Sequence, residues 1–189
     1  MKITKKELSF VILFLFFIAW TVLIYHISPE GIIENLGIKN SYLIVFLTCL
    51  FGGISIFFPF PYYLIVFTLG AGGLNPFLIG LFAGIGLAVG DTTSYLLGHT
   101  GRIILPKSSK RISEKIHKKI ALYPEWLKYF LFFIWGALVP LPNDLLLIPM
   151  GAIGYSYKKV VIPLVLGSIV FNTIIAFLGA YGLNLIFFN

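Results

Sequence analysis

Polar and apolar residues follow one another along this chain in long blocks instead of at the short periods of a soluble fold. Four stretches contain no Asp, Glu, Lys or Arg: residues 8–29, 40–90, 129–143 and 160–189. A helix that crosses a bilayer needs about 20 consecutive, predominantly apolar residues. The pattern therefore predicts an all-α integral membrane protein, whose first transmembrane helix covers about 8–25.

The composition supports this class. Of 189 residues, 59% are hydrophobic and 11% are charged, whereas a soluble domain has about 45–50% apolar and about 25% charged residues. An ordinary soluble enzyme, a disordered tail and a disulfide scaffold are therefore excluded. Cys49 is the single cysteine, and His26, His99 and His117 lie on separate elements, so the sequence predicts no disulfide, metal site or cofactor.

The net charge of +7 comes from basic residues that cluster in a few places. The clusters are the N-terminal tail, the segment 102–128, and Lys158 with Lys159. Basic residues beside membrane spans mark the cytoplasmic side. We therefore expect these clusters inside, the outer loop 26–40 outside, and no nucleic-acid partner. The first helix follows lysines but precedes no small-residue cleavage motif, so we expect it to be retained.

The chain contains an internal repeat, which is visible when the sequence is shifted by 81 positions. Pro59-Phe60-Pro61 then falls on Pro140-Leu141-Pro142, and several glycines coincide. These glycine pairs are Gly70 and Gly151, Gly73 and Gly154, Gly86 and Gly167, Gly98 and Gly179, and Gly101 and Gly182. Apolar bias alone does not produce paired Pro-x-Pro and Gly positions, so we interpret two structural units.

Each unit is predicted to hold a re-entrant helical hairpin, over about 42–74 and about 128–154. The second arms, 62–73 and 143–154, reach only about 18 Å as helices, while the hydrocarbon core is about 30 Å thick. Prolines at the tips stop the first arms, because they lack a backbone donor and restrict the preceding residue. The tip residues are Pro59, Pro61, Pro140 and Pro142.

The positive-inside rule then sets the topology. Helix 76–98 and helix 159–187 cross the membrane in opposite directions, and every basic cluster lands inside only if both hairpins are re-entrant. The predicted fold is an inverted repeat of hairpin plus transmembrane helix, with an additional N-terminal transmembrane helix. Such inverted repeats with broken helices are typical of transporters. We expect the N-terminus in the cytoplasm and the C-terminus outside.

The domains follow from this topology. They are an N-terminal helix with its outer loop (1–40) and a main domain (41–187) made of repeat 1 (about 42–101), a basic loop (102–127) and repeat 2 (about 128–187). In the loop, Ile112, Ile116 and Ile120 recur every four residues among lysines and arginines. This pattern favours an amphipathic helix on an anionic leaflet over a plain solvated helix.

Two acidic residues, Asp91 and Asp144, lie within the predicted membrane segments. An intramembrane carboxylate is costly and is a functional hypothesis by default. Asp91 is either a titrating group or a structural hydrogen-bond partner, since the repeat places Asn172 at the same position. Asp144 follows Asn143 at the second tip, and the pair either caps the returning half-helix or forms a proton or cation site.

Small residues and helix ends complete the candidate site. Gly80, Gly84, Gly90 and Gly98 would let another helix approach the helix that carries Asp91 and Tyr95 closely. The half-helix N-termini at 62 and 143 direct free N–H groups towards the membrane midplane, where they would suit a phosphate group. Asp144 would oppose that anion unless it is protonated.

The chain resembles the DedA family, the prokaryotic branch of the VTT-domain (SNARE-associated Golgi protein) superfamily, over roughly 41–187. The resemblance rests on Gly90-Asp91-x-x-x-Tyr95-x-x-Gly98, on the preceding Pro59-x-Pro61 and Gly70, and on Gly136-x-x-x-Pro140 through Gly151. It implies facing re-entrant hairpins and lipid transport: bacterial relatives recycle polyprenyl-phosphate carriers, and eukaryotic relatives scramble phospholipids.

This sequence departs from the family pattern at several positions. Tyr62-Tyr63 replaces the acidic residue after the first Pro-x-Pro, and Ala137 and Asn143 replace two arginines of the second hairpin. A phosphate-grasping arginine is therefore missing there. Arg102, just past the Gly98 motif, is the arginine that remains near the motif.

We therefore expect a flippase or scramblase type of lipid transporter in the plasma membrane, which moves a phosphate-bearing lipid and is not an enzyme. Gly90-Asp91 lacks the companion residues of intramembrane aspartyl proteases. The expected ligand-binding residues are Asp144, Asn143, Asp91, Tyr95 and Arg102. Two alternatives stay open: a proton- or ion-coupled transporter of a small solute, and a non-transporting membrane-homeostasis factor. The expected partners are anionic or phosphate-bearing membrane lipids, and self-association stays open.

Overall fold

A computed structural model describes residues 28–54, 61–104, 107–139 and 141–187, together with single positions of the segment before residue 28. Side chains are described outside 102–113 and 183–187. The helices of this part of the chain are α1 (Pro29–Leu36), α2 (Ile38–Gly53), α3 (Tyr62–Ala71), α4 (Pro76–Ile104), α5 (Lys107–Ala121), α6 (Glu125–Leu138), α7 (Asp144–Ala152) and α8 (Tyr157–Phe187). The predicted first helix, 8–25, lies mostly outside the described residues.

The segment 26–40, which the charge pattern predicts as a loop, is largely helical. Ser28 caps α1, because its hydroxyl accepts a hydrogen bond from the backbone N–H of Gly31, and Pro29 occupies the first turn. Both choices suit a helix start. Gly37 then adopts a φ of 79°, and the chain turns by 105° between α1 and α2. Hydrophobic patterning missed α1 because only one of its residues, Ile33, is buried.

Two long helices, α4 and α8, form the centre of the fold and run antiparallel. Within the described residues, their segments Pro76–Gly101 and Tyr157–Gly182 are the two single helices that are long and apolar enough to cross a membrane. Gly80 of α4 faces Thr173 of α8, and Gly84 faces Ile169, so that a Cβ at either glycine would overlap α8. The absence of these side chains lets the two backbones approach closely.

The first arm of each predicted hairpin packs against the long helix of its own unit. Helix α2 lies on α4, and α6 lies on α8. The tightest places are again glycine to glycine: a Cβ at Gly53 would lie 3.0 Å from the Cα of Gly90, and one at Gly136 would lie 3.3 Å from the carbonyl carbon of Gly167. Glycine therefore decides where these helices cross.

The second arms pack against the long helix of the other unit. Helix α3 lies on α8 and α7 lies on α4. A Cβ at Gly70 would meet the backbone of Ala176, while one at Gly151 would meet the backbone of Tyr95. These two contacts correspond to each other in the repeat, because a shift of 81 residues relates Gly70 to Gly151 and Tyr95 to Ala176. The pair Gly98–Ile148 maps in the same way onto Gly179–Phe67.

Helices α3 and α7 also end in the same manner. Gly73 (φ 91°) and Gly154 (φ 70°) follow them in the left-handed region, which glycine adopts without steric cost. The backbone N–H groups of Leu74 and Tyr155 donate to the carbonyls of Leu69 and Met150, five residues earlier. With 10 and 9 residues, the two helices are about 15 Å long, which is half the thickness of a bilayer core.

Charged residues gather at the end of the molecule where α4 ends and α8 begins. The Glu125 carboxylate accepts hydrogen bonds from Lys128 Nζ at 2.6 Å and from Lys159 Nζ at 3.0 Å. These two bonds lower the pKa of Glu125 to about 2. They tie the start of α6 to the start of α8 at the exposed end of the second hairpin.

The basic loop 102–127 contains α5, as the isoleucine spacing predicts. Its C-terminal half docks on the same end of the molecule: His117 Nδ1 lies 3.2 Å from the carbonyl oxygen of Ile153, and Ile120 packs against the core cluster that contains Tyr155. Ile116 stays 44% exposed. Helix α5 is therefore anchored to the turn that follows α7.

Candidate functional site

A cavity of about 240 Å³ lies where the two short helices begin beside the middle of the two long helices. Asp91 is about 15 residues into α4 and Asn172 about 15 residues into α8, which places both about 22 Å from the helix starts. The cavity wall also includes the residues at the N-terminal ends of α3 and α7. These are Pro61, Tyr62 and Tyr63 in the first unit and Pro142 and Asn143 in the second.

Asp91 bonds to the second unit. Asn143 Nδ2 donates a hydrogen bond of 2.7 Å to Asp91 Oδ2, and only 2% of Asp91 is exposed. Among the described residues, this is the hydrogen bond that reaches the Asp91 carboxylate. Asp91 also lines the cavity.

Asp144, the first residue of α7, bonds to a residue of α4. Ser94 Oγ donates a short hydrogen bond to Asp144 Oδ1, and both residues are buried. Because Ser94 follows Asp91 by three residues, the two side chains lie on one face of α4. Asn143 and Asp144 therefore contact Asp91 and Ser94, which are one turn apart on α4. This arrangement holds the two carboxylates close together.

Of the two alternatives for Asn143 and Asp144, a cap made by the Asn143 side chain is not observed. Asn143 precedes α7 with helical backbone angles (φ −60°, ψ −22°) instead of the extended angles typical of a capping residue, and it makes no side-chain capping bond. Its amide nitrogen donates to Asp91. The start of α3 is likewise without a side-chain cap, since its N-cap residue is Pro61.

Asn172, the repeat counterpart of Asp91, lines the same cavity. Its Nδ2 donates to the carbonyl oxygen of Ser168 at 2.8 Å. Its Oδ1 is fully buried and accepts no hydrogen bond from the described residues. A buried acceptor without a partner costs about 1–3 kcal/mol, which indicates that a ligand, an ion or water completes this position.

Aromatic side chains form another part of the wall. The rings of Tyr62 and Tyr63 meet edge to face with centroids 5.9 Å apart, and both residues line the cavity. Tyr63 is 49% exposed. Among the described lining residues there is no Lys, Arg or His, so the charge of this site is set by the acidic side chains and by the helix ends.

The structure places the other predicted site residues elsewhere. Tyr95 Oη donates to the carbonyl oxygen of Tyr155 at 2.5 Å, and its ring stacks on His99, outside the described cavity wall. Arg102 belongs to α4, and its side chain lies outside the described residues, as do Pro59 and Pro140 of the hairpin tips. Pro61 and Pro142 are in the wall.

The predicted packing glycines contact three different helices. Gly80 and Gly84 face α8, Gly90 faces α2 and Gly98 faces α7. The expectation of one glycine face for one partner was therefore too simple. Helix α4 is surrounded, and each neighbour approaches at its own glycine.

Sequence reasoning did not select three residues of this region: Ser94, Ser168 and Asn172. The spacing of Ser94 from Asp91 was a usable signal, because residues three apart share a helix face. Asn172 was recognised only as the partner of Asp91 in the repeat. That a second polar residue at the same repeat position would line the same cavity follows from the antiparallel packing of α4 and α8.

Apolar composition, two spans and short helices that enter from both units define an integral membrane protein built from broken helices. The family model for the VTT domain matches residues 58–181, which is more than half of the chain. The chain therefore belongs to the VTT-domain family, the family of DedA and SNARE-associated Golgi proteins. Neither a curated protein nor a solved structure gives a significant match.

Proposed function

We propose that this protein is a lipid transporter of the flippase or scramblase type, which moves a phosphate-bearing lipid between the leaflets of the plasma membrane. The observation that carries the proposal is the cavity between the starts of α3 and α7 at mid-length of α4 and α8. A cavity at that depth with polar side chains in its wall would give a head-group a place to pause during the crossing, while its acyl chains stay in lipid.

The two helix starts are suited to a phosphate. The first N–H groups of an α-helix have no partner within the helix, and the helix dipole adds positive potential there. Residues at both starts line the cavity, and neither helix has a side-chain cap in the part of the chain that the structure describes. The N–H groups of two helices could therefore replace the arginines that the family pattern carries in the second hairpin.

The inverted repeat that the sequence predicts supports the same proposal. The crossed glycine contacts of α3 and α7 map onto each other by a shift of 81 residues, and α4 and α8 run antiparallel. Two units with opposite orientation would allow the cavity to open to either side by equivalent movements. In the proposed orientation the N-terminus is cytoplasmic and the C-terminus outside, so that Glu125, Lys128 and Lys159 face the cytoplasm.

The two carboxylates set a condition on anion binding. Asp144 is the first residue of α7, and Asp91 of α4 is bonded to the preceding Asn143. Both carboxylates would repel a phosphate if they were ionised, since the Coulomb energy of like charges is large in a medium of low dielectric constant. A bound proton or cation would remove the repulsion. The same residues also support the second candidate function, an ion- or proton-coupled transporter of a small solute.

Reconstitution into liposomes tests the proposal. The purified protein is inserted into vesicles that contain a labelled phospholipid or a labelled polyprenyl phosphate, and the label exposed on the outer leaflet is measured over time. We expect flux above protein-free vesicles for at least one lipid. Flux equal to that of empty vesicles for both lipids, with correctly folded protein, would contradict a lipid transporter and favour the solute carrier.

A further inference from the structure

We infer that the cavity contains a binding site for one monovalent cation, formed by Asp91 and Asn172 and closed by the tyrosines of the first hairpin. The cation would be a metal ion of the sodium type or the ammonium group of a head-group, which share the same chemistry. The inference deepens the proposed function and rests on it, because it identifies what enters the transport cavity together with, or as part of, the substrate.

The side-chain oxygens of Asp91 and Asn172 receive fewer hydrogen bonds from the described residues than they can accept. Asp91 carries one hydrogen bond from Asn143, and Asn172 Oδ1 accepts none among the described residues although it is fully buried. A phosphate brings further acceptors and could not satisfy either oxygen. A cation, or a group with several N–H donors, satisfies both.

The charge of the cavity wall also favours a cation. The described lining residues include an acidic side chain and no basic one, while Asp144 lies beside it through its bond to Ser94. A buried carboxylate without an opposite charge is strongly unfavourable. A bound monovalent cation would compensate this charge.

The aromatic rings in the cavity wall also favour a cation. Tyr62 and Tyr63 line the same cavity with their rings edge to face. A cation near the face of an aromatic ring gains about 0.5–2 kcal/mol. The described residues hold no group of three His, Cys, Asp or Glu side chains that could bind a divalent metal ion.

A cation at this position would also explain how an anionic lipid tolerates Asp91 and Asp144. The bound charge would neutralise part of the acidic wall, so that a phosphate could reach the helix starts of α3 and α7. Cation and phosphate would then be bound together, at adjacent places in one cavity.

Equilibrium binding of ²²Na⁺ to the purified full chain in detergent tests the inference without any lipid transport. We expect saturable binding of about one ion per chain. Asp91→Asn should weaken it at least tenfold, and Asn172→Leu should do the same. Asn40→Leu is the matched control, because Asn40 is an exposed residue of α2 that bonds to the carbonyl of Leu36, and it should bind as the wild type does.

Asn172→Asp protects the test against a folding defect in the leucine variant. It preserves the shape of the side chain and adds a second carboxylate to the wall, so binding should tighten several-fold. Competition identifies the source of the charge: displacement by K⁺ or Li⁺ indicates a metal-ion site, and displacement by methylammonium alone indicates the amine of a head-group.

The inference is overturned if neither ²²Na⁺ nor ¹⁴C-methylammonium binds saturably, or if Asp91→Asn and Asn172→Asp bind as the wild type does. Lipid flux in vesicles with no cation binding would overturn this inference and leave the proposed function intact. Cation binding without lipid flux would overturn lipid transport and leave the cation site intact.

Discussion

Asn143 Nδ2 donates to Asp91 Oδ2 at 2.7 Å and thereby joins the start of α7 to the middle of α4. The two residues belong to different units of the chain, 52 positions apart. The acidic residue of α4 therefore meets a neutral amide. An amide can satisfy a carboxylate by a hydrogen bond, but it cannot balance its charge.

The first prediction concerns this bond. Asn143→Leu removes the donor and leaves the buried Asp91 oxygen without a partner, which should lower the free energy of unfolding by about 1–3 kcal/mol. Asp91→Asn should be tolerated better, because two amides can still bond. Thermal unfolding of the purified variants in detergent measures both. Equal stability of Asn143→Leu and wild type would show that the bond contributes nothing.

Asp91→Asn also separates a structural from a functional role. The protein should keep its fold, and its lipid flux should fall, because Asp91 lines the cavity and the variant would lose the carboxylate that is proposed to bind a cation beside the phosphate. Normal flux with unchanged unfolding temperature would make Asp91 a structural partner of Asn143 only.

The second prediction concerns the crossed packing of the short helices. A Cβ at Gly98 would overlap the backbone carbonyl of Ile148 in α7, and overpacking typically costs about 1–3 kcal/mol. Gly98→Ala should destabilise the protein by that amount. Gly101→Ala is the control in the same helix, because nothing lies within 4 Å of its added Cβ, and alanine is the better helix former. Equal unfolding temperatures for the two variants would contradict the crossed contact.

The third prediction concerns acid stability. The hydrogen bonds from Lys128 and Lys159 lower the pKa of Glu125 from 4.5 to about 2. A group whose pKa is depressed in the folded state contributes stability above its unfolded pKa and loses it as the pH falls towards the folded value. The unfolding temperature should therefore decrease between about pH 5 and pH 2.

Glu125→Gln should remove a part of that decrease, since glutamine does not titrate. Glu114→Gln in α5 serves as the matched variant away from the two lysines and should keep the wild-type slope. Identical slopes for Glu125→Gln and wild type would mean that the two bonds do not contribute to stability in solution.

The fourth prediction concerns orientation in the membrane. In a Cys49→Ala background, a cysteine at position 109 in α5 should react with impermeant thiol reagents from the cytoplasmic side, and one at position 35 in α1 only from outside. Cys49 is the single cysteine of the sequence, so its replacement leaves the introduced cysteine as the thiol that is labelled. Labelling of Ser109→Cys and Asn35→Cys from the same side would refute the inverted topology.

Much of this fold follows from the sequence, because its strongest signals are the scarcity of charged residues and the interruption of helices by proline. Charged residues are rare in the membrane segments, and Pro-x-Pro limits the arms, so the short helices 62–71 and 144–152 are close to the predicted 62–73 and 143–154. Helix α1 could not be predicted in this way. It is short and mostly exposed, and its signals are the Ser28-Pro29 start and Gly37.

The site was predictable in its residues and less so in its connections. Asp91, Asn143 and Asp144 stand out because polar groups are rare in an apolar chain. That Asn143 would bond to Asp91 instead of capping α7 depends on α7 crossing to the other unit, and no local pattern encodes that crossing. Tyr95 lies in the same motif as Asp91, yet the helix turns its side chain towards Tyr155.

The central claim is that lipid passes through the cavity at the starts of α3 and α7, and blocking the cavity tests it most directly. Asn143→Cys in the Cys49→Ala background is labelled with a bulky maleimide and reconstituted, and lipid flux is compared with that of the same unlabelled protein. Asn35→Cys, which lies in α1, is labelled as the control. We predict that labelling position 143 reduces flux to that of empty vesicles while labelling position 35 has no effect; undiminished flux after complete labelling at position 143 would contradict the account.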